Sequence, residues 1–169
     1  MARLFVAVWP PDVVLDRVAG LDRPEVAGLR WTAPAQWHVT LRFLGRVDDV
    51  ATATDALRGV RAAPAEAVLG PAVGRFGQRV LHVPVSGLGD VAAAVVAATA
   101  SVGQPPEERP FAGHLTLARV ARGARVDLRR LSGAPVAGRW PVNEVCLVES
   151  RLSPAGARYQ VVERVAFTE

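Results

Sequence analysis

One short pattern occurs twice in this chain, and it limits the possible folds more than any other feature. The stretch Trp37–Gly45 reads WHVTLRFLG, and Gly113–Val120 reads GHLTLARV. Both alternate polar with apolar residues, the pattern of a β-strand with one buried and one accessible face. Two of the three histidines, His38 and His114, are followed by Thr at the second position and Leu at the third. The repeat predicts one motif strand in each half of the protein.

The accessible faces of these strands supply the candidate site residues. They are His38, Thr40 and Arg42 in the first motif, and His114 and Thr116 in the second. Arg119 is a further candidate, although a regular strand would point it with the leucines, away from His114. We therefore expect the second motif strand to bulge or end near Arg119, or Arg119 to bind substrate from another angle.

Two histidines with neighbouring hydroxyl and guanidinium groups suit acid-base displacement at a phosphate ester. The attacking water must lose a proton, the leaving oxygen must gain one, and the charge on the non-bridging oxygens must be stabilised. Imidazole titrates near pH ~6.5, so one histidine can be neutral while the other is charged. Threonine hydroxyls and arginine can hold the phosphoryl oxygens. Symmetry alone leaves open which histidine is the acid.

The sequence offers no competing site of another kind. Zinc sites need three or four compact ligands, and the motifs provide two histidines without a nearby carboxylate, so no metal site is expected. There is no phosphate-cradling glycine-rich loop. The third histidine, His82, has Pro84 where the motif has threonine, and it is interpreted as structural. The single cysteine, Cys146, lies in an apolar stretch and is interpreted as a buried, inert thiol.

Strands and helices alternate along the rest of the chain, with hairpins in the middle and at the end. Besides the motif strands, the pattern predicts strands at Arg3–Trp9, Ala67–Phe76, Arg79–Val85, Val142–Leu152 and Arg158–Phe167, and helices at Pro11–Gly20, Val50–Val60 and Leu88–Val102. Arg23–Gly28 is predicted as a loop or a second short helix, and Ala121–Gly138 as a loop with one helical turn at Asp127–Leu131. The interleaving predicts an α+β fold with a mainly antiparallel sheet.

All 20 basic residues are arginine, and the net charge is +4. A GC-rich coding bias explains the arginine content, but the charge also favours an anionic partner. Five arginines fall within one tract: Arg119, Arg122, Arg125, Arg129 and Arg130. This tract is either a solvated loop or a rim that contacts the anionic partner. The apolar runs are too short for a membrane span or a signal-peptide core, so a cytoplasmic protein that does not bind membranes is expected.

Several tracts together resemble one known family. They are RLFVAVWPP (Arg3–Pro11), RW (Arg30 and Trp31), HVTLRFLG (His38–Gly45), RPF (Arg109–Phe111), HLTLAR (His114–Arg119) and SRLSPAGARY (Ser150–Tyr159). The chain resembles the 2H phosphoesterases and, within them, the RNA 2′,3′-cyclic phosphodiesterases, also called 2′-5′ RNA ligases. The resemblance implies a single domain over residues 1–169 with two lobes related by an approximate twofold axis. Each lobe would hold a small, mainly antiparallel sheet with helices, and the cleft between the lobes would hold both motifs.

The resemblance also implies an order for the two histidines. His38 would donate the proton to the leaving 3′ oxygen, and His114 would accept the proton of water, so that the product is a 2′-phosphate. With a 5′-hydroxyl in place of water, the same groups would form a 2′-5′ linkage. No cofactor is implied, and a monomer is expected. The chain departs from the family where Ala112 and Gly113 replace a basic residue and a proline before the second histidine.

Three functions remain open on sequence grounds. The first is hydrolysis of RNA ends that carry a 2′,3′-cyclic phosphate. The second keeps the site but acts on small cyclic nucleotides, ADP-ribose cyclic phosphate or 2′-5′ oligoadenylate. The third is a module that binds RNA ends without turnover, which the intact His-x-Thr pattern in both halves disfavours because binding alone needs no matched acid and base.

Overall fold

The two motif strands meet at the centre of the sheet. In a computed structural model that describes residues 2–168, β3 (Val39–Val47) and β7 (His114–Val120) run antiparallel and pair where Val39 lies opposite Leu115. This contact lies between the histidine and the threonine of each motif. The sequence repeat therefore becomes a physical junction between the two halves of the chain.

The other elements extend the sheet on both sides of this junction. The remaining strands are β1 (Ala2–Val8), β2 (Leu29–Trp31), β4 (Ala65–Leu69), β5 (Gly74–Phe76), β6 (Val80–Ser86), β8 (Gly138–Val142), β9 (Glu144–Ser153) and β10 (Gly156–Ala166). The α-helices of the described residues are α1 (Asp12–Ala19), α2 (Val50–Arg58) and α3 (Gly89–Ala98). Short 3-10 turns lie at Pro34–Gln36 and Leu128–Arg130.

The strand order divides the sheet into two lobes. One lobe has the order β10-β9-β1-β3, and the other has β7-β6-β4-β8, with β2 paired to β7 and β5 to β6. Neighbouring strands pair antiparallel throughout the described sheet. The predicted α+β class with two lobes is confirmed. No helix within residues 2–168 has both the length and the apolar character needed to cross a bilayer.

The helices cover one face of the sheet and leave the other face to the cleft. Helix α1 packs on β8 of the second lobe, while α3 packs on β3 of the first. The larger hydrophobic core lies under these helices. A second, smaller cluster of Phe5, Ala7, Cys146 and Val148 lies on the opposite face of the first lobe. Cys146 is buried, as expected, and burial raises its pKa.

Each motif strand contains a β-bulge at the leucine of its motif. On β3, Thr40 lies opposite Ala7 and Arg42 opposite Val6, so Leu41 is the extra residue. A bulge reverses the alternation of side chains beyond it. The expected alternation therefore holds only up to Leu41, and the side chains of Arg42 and Phe43 exchange faces.

The bulge in β7 lies at the equivalent position. Thr116 lies opposite His82 and Ala118 opposite Leu81, so Leu117 is the extra residue. This bulge is held by Thr32, whose hydroxyl donates to the carbonyl oxygens of Thr116 and Leu117 at 2.8 and 3.0 Å. The bulge resolves the orientation of Arg119, because the shifted phase places that side chain on the same face as His114.

Several boundaries differ from the sequence prediction, among them the following three. The expected strand Ala67–Phe76 is two strands, because Gly70 takes φ 106° and is followed by a proline. The expected strand Val142–Leu152 is likewise divided between β8 and β9. Helix α3 ends at Ala98 rather than Val102, and the Thr99 hydroxyl donates to the Val95 carbonyl oxygen at 2.6 Å.

Candidate active site

Both motifs open into one cleft between the lobes, with a volume of about 990 Å³. Five of the six predicted residues line it: His38, Thr40, His114, Thr116 and Arg119. Arg30 and Arg158 line it too, although the sequence analysis does not assign them to the site. Arg30 belongs to the RW tract, which contributes only to the family resemblance. Its pairing with Arg119 depends on the register between β2 and β7, which the sequence does not reveal.

Arg42 does not belong to this site, which corrects the prediction that it binds phosphate. The bulge at Leu41 turns the side chain away from the cleft, and it is only 5% exposed. Its guanidinium donates to the Thr99 carbonyl and hydroxyl oxygens and to the Val102 and Gln104 carbonyl oxygens, the last at 2.8 Å. A cation suits the free carbonyls that follow a helix. Arg42 therefore anchors the end of α3 and the start of the loop that leads to the second motif.

Phe43, rather than the predicted Arg42, faces the cleft from the first motif. It lines the cleft and is 38% exposed. Phe43 and Arg119 occupy the same position in the two motifs, five residues after the histidine and beyond the bulge. The first half of the site therefore presents an aromatic ring where the second half presents a cation.

His38 lies in an aromatic pocket. The rings of Phe5, Trp9 and Tyr159 surround it, with centroids 5.0 to 5.2 Å from the imidazole centroid. This pocket is built on the small apolar cluster of the first lobe. The pKa of His38 is lowered to about 4, mainly by this burial and to a smaller extent by the charges of His114 and Arg119. In the free protein, His38 is therefore neutral at pH 7.

His114 has a different environment. Phe76 meets its ring edge-on at a centroid distance of 4.8 Å, and the His82 ring lies 5.6 Å away. His82 is buried and stacks on Phe76 at 4.0 Å, which accords with a structural role but places it beside the site. Burial and the charge of His114 lower the pKa of His82. The approach of His82 to His114 was missed because it depends on the register of β6 with β7.

Both motif histidines are oriented in the same way. Nδ1 of His38 donates to the Gln36 carbonyl oxygen at 2.6 Å, and Nδ1 of His114 donates to the Ala112 carbonyl oxygen at 2.8 Å. This bond leaves Nε2 of each ring available on the cleft side. In the neutral state of His38, Nε2 accepts from the Thr40 hydroxyl at 2.9 Å. The two rings therefore present the same atom from opposite lobes.

Gly113, a departure from the family pattern, has a steric reason in this chain. A Cβ at this position would lie 2.3 Å from the Val85 carbonyl oxygen and 3.3 Å from the Phe111 ring. The Gly113 carbonyl accepts from the Val85 amide at 2.9 Å, so the two strands approach closely there. Glycine is required because no larger residue fits between β6 and the start of the second motif.

The five arginines of the tract after the second motif lie in different surroundings. Arg119 alone of the five is among the residues that line the cleft. Arg129 and Arg130 both pair with Asp127, at 3.2 and 3.6 Å, on an exposed surface. Arg122 and Arg125 are exposed. Among residues 2–168, no three His, Cys, Asp or Glu side chains are grouped so that they could hold a metal ion.

Comparison with known proteins agrees with the geometry. A family model described as the 2′-5′ RNA ligase superfamily matches residues 10–153. The crystal structure of TT0787 of Thermus thermophilus is 31% identical, with a TM-score of 0.76 over 98% of this chain and 97% of that one. A phosphoesterase structure is 26% identical, with a TM-score of 0.78 and 99% of both chains covered. E. coli LigT complexed with 3′-AMP is 25% identical, with a TM-score of 0.75 and 99% of both chains covered. Curated proteins yield no significant match.

Proposed function

Because the chain belongs to the 2′-5′ RNA ligase superfamily of 2H phosphoesterases, we propose that it hydrolyses the 2′,3′-cyclic phosphate at RNA ends to a 2′-phosphate. The observation that carries this proposal is the matched presentation of His38 and His114. Each ring is held through Nδ1 by the carbonyl two residues earlier, and the two rings line one cleft from opposite lobes. An acid and a base on opposite sides of a phosphate are what an in-line displacement needs.

In the proposed reaction, His114 Nε2 accepts a proton from water as the water oxygen bonds to phosphorus. The bond from phosphorus to the 3′ oxygen breaks, and His38 Nε2–H donates its proton to that oxygen. The hydroxyls of Thr40 and Thr116 and the guanidinium of Arg119 stabilise the charge on the non-bridging oxygens. The two histidines exchange charge states in each turnover, and proton exchange with solvent restores them. With a 5′-hydroxyl in place of water as the nucleophile, the same path forms a 2′-5′ linkage and leaves a 3′-hydroxyl.

His38 can act as a proton donor only after it has been protonated, and this protonation depends on the substrate. In the protein without ligand, the His38 imidazole is neutral at pH 7, since burial lowers its pKa to about 4. A phosphate anion in the cleft favours the charged imidazole and therefore raises this pKa. We infer that substrate binding brings in the proton that His38 then transfers. This coupling would keep the acid inactive until a phosphate occupies the site.

Complexes of a relative support nucleotide binding at this fold. E. coli LigT has been crystallised with 3′-AMP, with phosphate and with NADP⁺. These ligands favour a cleft that accepts a nucleotide and its phosphate. They are equally consistent with the alternative in which a small cyclic nucleotide is the substrate. The discriminating quantity is kcat/KM for an RNA with a cyclic phosphate end relative to that for a cyclic mononucleotide.

The experiment that tests the proposal uses a short RNA with a 2′,3′-cyclic phosphate, in the presence of EDTA. We expect hydrolysis to continue and the product to be a 2′-phosphate. Complete loss with EDTA and recovery with zinc or manganese would contradict metal independence. A 3′-phosphate product would contradict the assignment of the leaving oxygen. Turnover of cyclic mononucleotides alone would favour the second function.

A further inference from the structure

The carbonyl that orients each motif histidine belongs to a different type of residue in the two lobes. Gln36 holds Nδ1 of His38, and Ala112 holds Nδ1 of His114, in each case from two positions before the histidine. The alanine side chain ends at Cβ and has no polar atom. The glutamine amide can both donate and accept, so the first half-site can make a contact that the second cannot.

The Gln36 side chain reaches the tip of the hairpin formed by β9 and β10. Its Nε2 donates to the Ala157 carbonyl oxygen at 2.6 Å, although the two residues are 121 positions apart in the chain. Its Oε1 accepts from the Ala33 amide at 3.3 Å. A reversed amide would place oxygen against oxygen and one donor against another, so the two contacts agree on one orientation. One residue therefore contacts the imidazole through its backbone and the hairpin through its side chain.

The hairpin tip lies over the cleft and carries Tyr159. In the ladder with β1, β9 is paired from Cys146 to Ser150, and the hairpin continues beyond this ladder. The residues from Pro154 to Tyr159 line the cleft. Because β10 ends the strand order of the first lobe, the position of the tip over the cleft depends on contacts made at the tip itself.

Tyr159 connects the hairpin to His38. Its ring meets the imidazole edge-on at a centroid distance of 5.2 Å, and it meets Phe5 in the same way at 5.1 Å. Tyr159 lies two residues after Ala157 on β10, so the bond from Gln36 holds the segment that carries this ring. Burial raises the pKa of the Tyr159 phenol, and the charge of Arg119 opposes this rise. The same enclosure therefore acts on the pKa of His38 and on that of Tyr159 in opposite directions.

We propose that Gln36 is a positioning residue that fastens the β9–β10 hairpin over the cleft and thereby keeps Tyr159 packed against His38. This inference rests on the proposed function for the role of His38 as general acid, and it adds the contact that keeps this acid enclosed. Without the bond to Ala157, the hairpin tip would move away from the imidazole and admit water. His38 would then lose part of the burial that keeps it neutral in the free protein.

The charges around His38 stay the same when Gln36 is replaced by another uncharged residue. Besides Tyr159, the titratable or charged groups around the imidazole are His114 and Arg119 of β7, Arg30 of β2, Arg158 of β10 and Cys146 of β9. A changed field would shift the pKa of imidazole and phenol in the same direction. Lost burial shifts them in opposite directions, because the charged form of histidine is a cation and that of tyrosine an anion.

The test compares Gln36→Met and Gln36→Ala with Gln160→Ala. Methionine keeps nearly the length of glutamine without its donor, and alanine gives the first motif the residue that the second has at this position. Gln160 is an exposed residue of the same hairpin and supplies the control. Nuclear magnetic resonance follows the titration of His38. Tyr159 is the only tyrosine of the chain, so the alkaline change in ultraviolet absorbance reports on this side chain alone.

In both Gln36 variants, we expect the pKa of His38 to rise from about 4 toward 6.5 and the pKa of Tyr159 to fall toward its ordinary value. We also expect kcat on an RNA with a 2′,3′-cyclic phosphate to fall about tenfold, because the acid is less well placed. Gln160→Ala should match the wild-type protein in all three measurements. Circular dichroism shows which variants are folded, and the two substitutions at Gln36 serve as alternatives to one another.

The outcomes separate this inference from the proposed function, because the titrations need no substrate. If the wild-type protein does not turn over the cyclic phosphate, the proposed function is wrong, and the titrations alone decide whether Gln36 fastens the hairpin. Two unchanged pKa values, or two that move in the same direction, would overturn this role. Equal shifts in Gln160→Ala would also overturn it. Shifted titrations with an unchanged kcat would contradict the positioning of His38 for catalysis.

Discussion

The two half-sites come from one sequence pattern but differ in their surroundings. His38 is enclosed by Phe5, Trp9 and Tyr159 on a small apolar cluster, and it is neutral in the free protein. His114 lies between the edge of Phe76 and the buried His82. The motif determines where each Nε2 lies, whereas the packing behind each ring determines its charge. A near-symmetric chain can thus hold an acid and a base.

The same contrast appears one step beyond each bulge. Arg42 and Ala118 are equivalent positions, both buried, but only the first carries a charge, which binds the end of α3. Phe43 and Arg119 are the next pair, both facing the cleft. The first lobe contributes an aromatic surface and the second a cation. The cleft therefore has one side suited to a nucleobase and one suited to a phosphate.

The largest expected effect is on turnover. His38→Ala and His114→Ala should each lower kcat by at least roughly 10²- to 10⁴-fold, because each removes a general acid or base. Circular dichroism should show both variants folded. An activated leaving group, such as a p-nitrophenyl ester of a nucleotide, should restore His38→Ala more than His114→Ala, since a good leaving group needs no proton. Equal restoration would contradict the difference in roles.

The next effect is on stability, at the position where the first motif carries Arg42. Arg42→Ala gives the first motif the residue of the second and leaves the carbonyls after α3 without their donor. We expect the free energy of unfolding to fall by on the order of 3 kcal/mol, because several buried acceptors lose a charged hydrogen-bond donor. Urea denaturation measures this. Unchanged stability together with a weaker affinity for phosphate would contradict this structural role and would indicate that Arg42 binds phosphate.

These two predictions show what could be read from the sequence. The twin motifs, the buried Cys146 and four of the cleft residues follow from the pattern of residues in the chain, whereas the two lobes follow from the family resemblance. The bulges at Leu41 and Leu117 do not, because they depend on register with β1 and β6, and Thr32 holds the second from a distant segment. These bulges explain both the wrong prediction for Arg42 and the orientation of Arg119 that the sequence left undecided.

The pocket of His38 should also make stability depend on pH. Its folded pKa of about 4 lies below the unfolded value of 6.5, so the unfolded chain binds a proton that the folded chain does not. Stability is therefore complete above pH ~6.5, declines as pH falls from about 6.5 to about 4, and loses nothing further to this group below that value. At pH 5 the loss should be about 2 kcal/mol. The difference between wild type and His38→Gln, measured by urea denaturation from pH 8 to pH 5, isolates this contribution.

A pH-independent difference between those two proteins would contradict the enclosure of His38. The non-titrating glutamine is the suitable reference because it keeps a hydrogen-bond donor near the Gln36 carbonyl oxygen. Other groups titrate in both proteins and cancel in the comparison.

The central claim is that His38 is neutral alone and becomes the acid only when a phosphate enters the cleft. Nuclear magnetic resonance titration of the His38 imidazole, without ligand and with a saturating 2′-nucleotide, tests this claim directly. We predict a pKa of about 4 in the free protein and a clear rise on binding. A free pKa near the ordinary histidine value, or one that binding leaves unchanged, would contradict it.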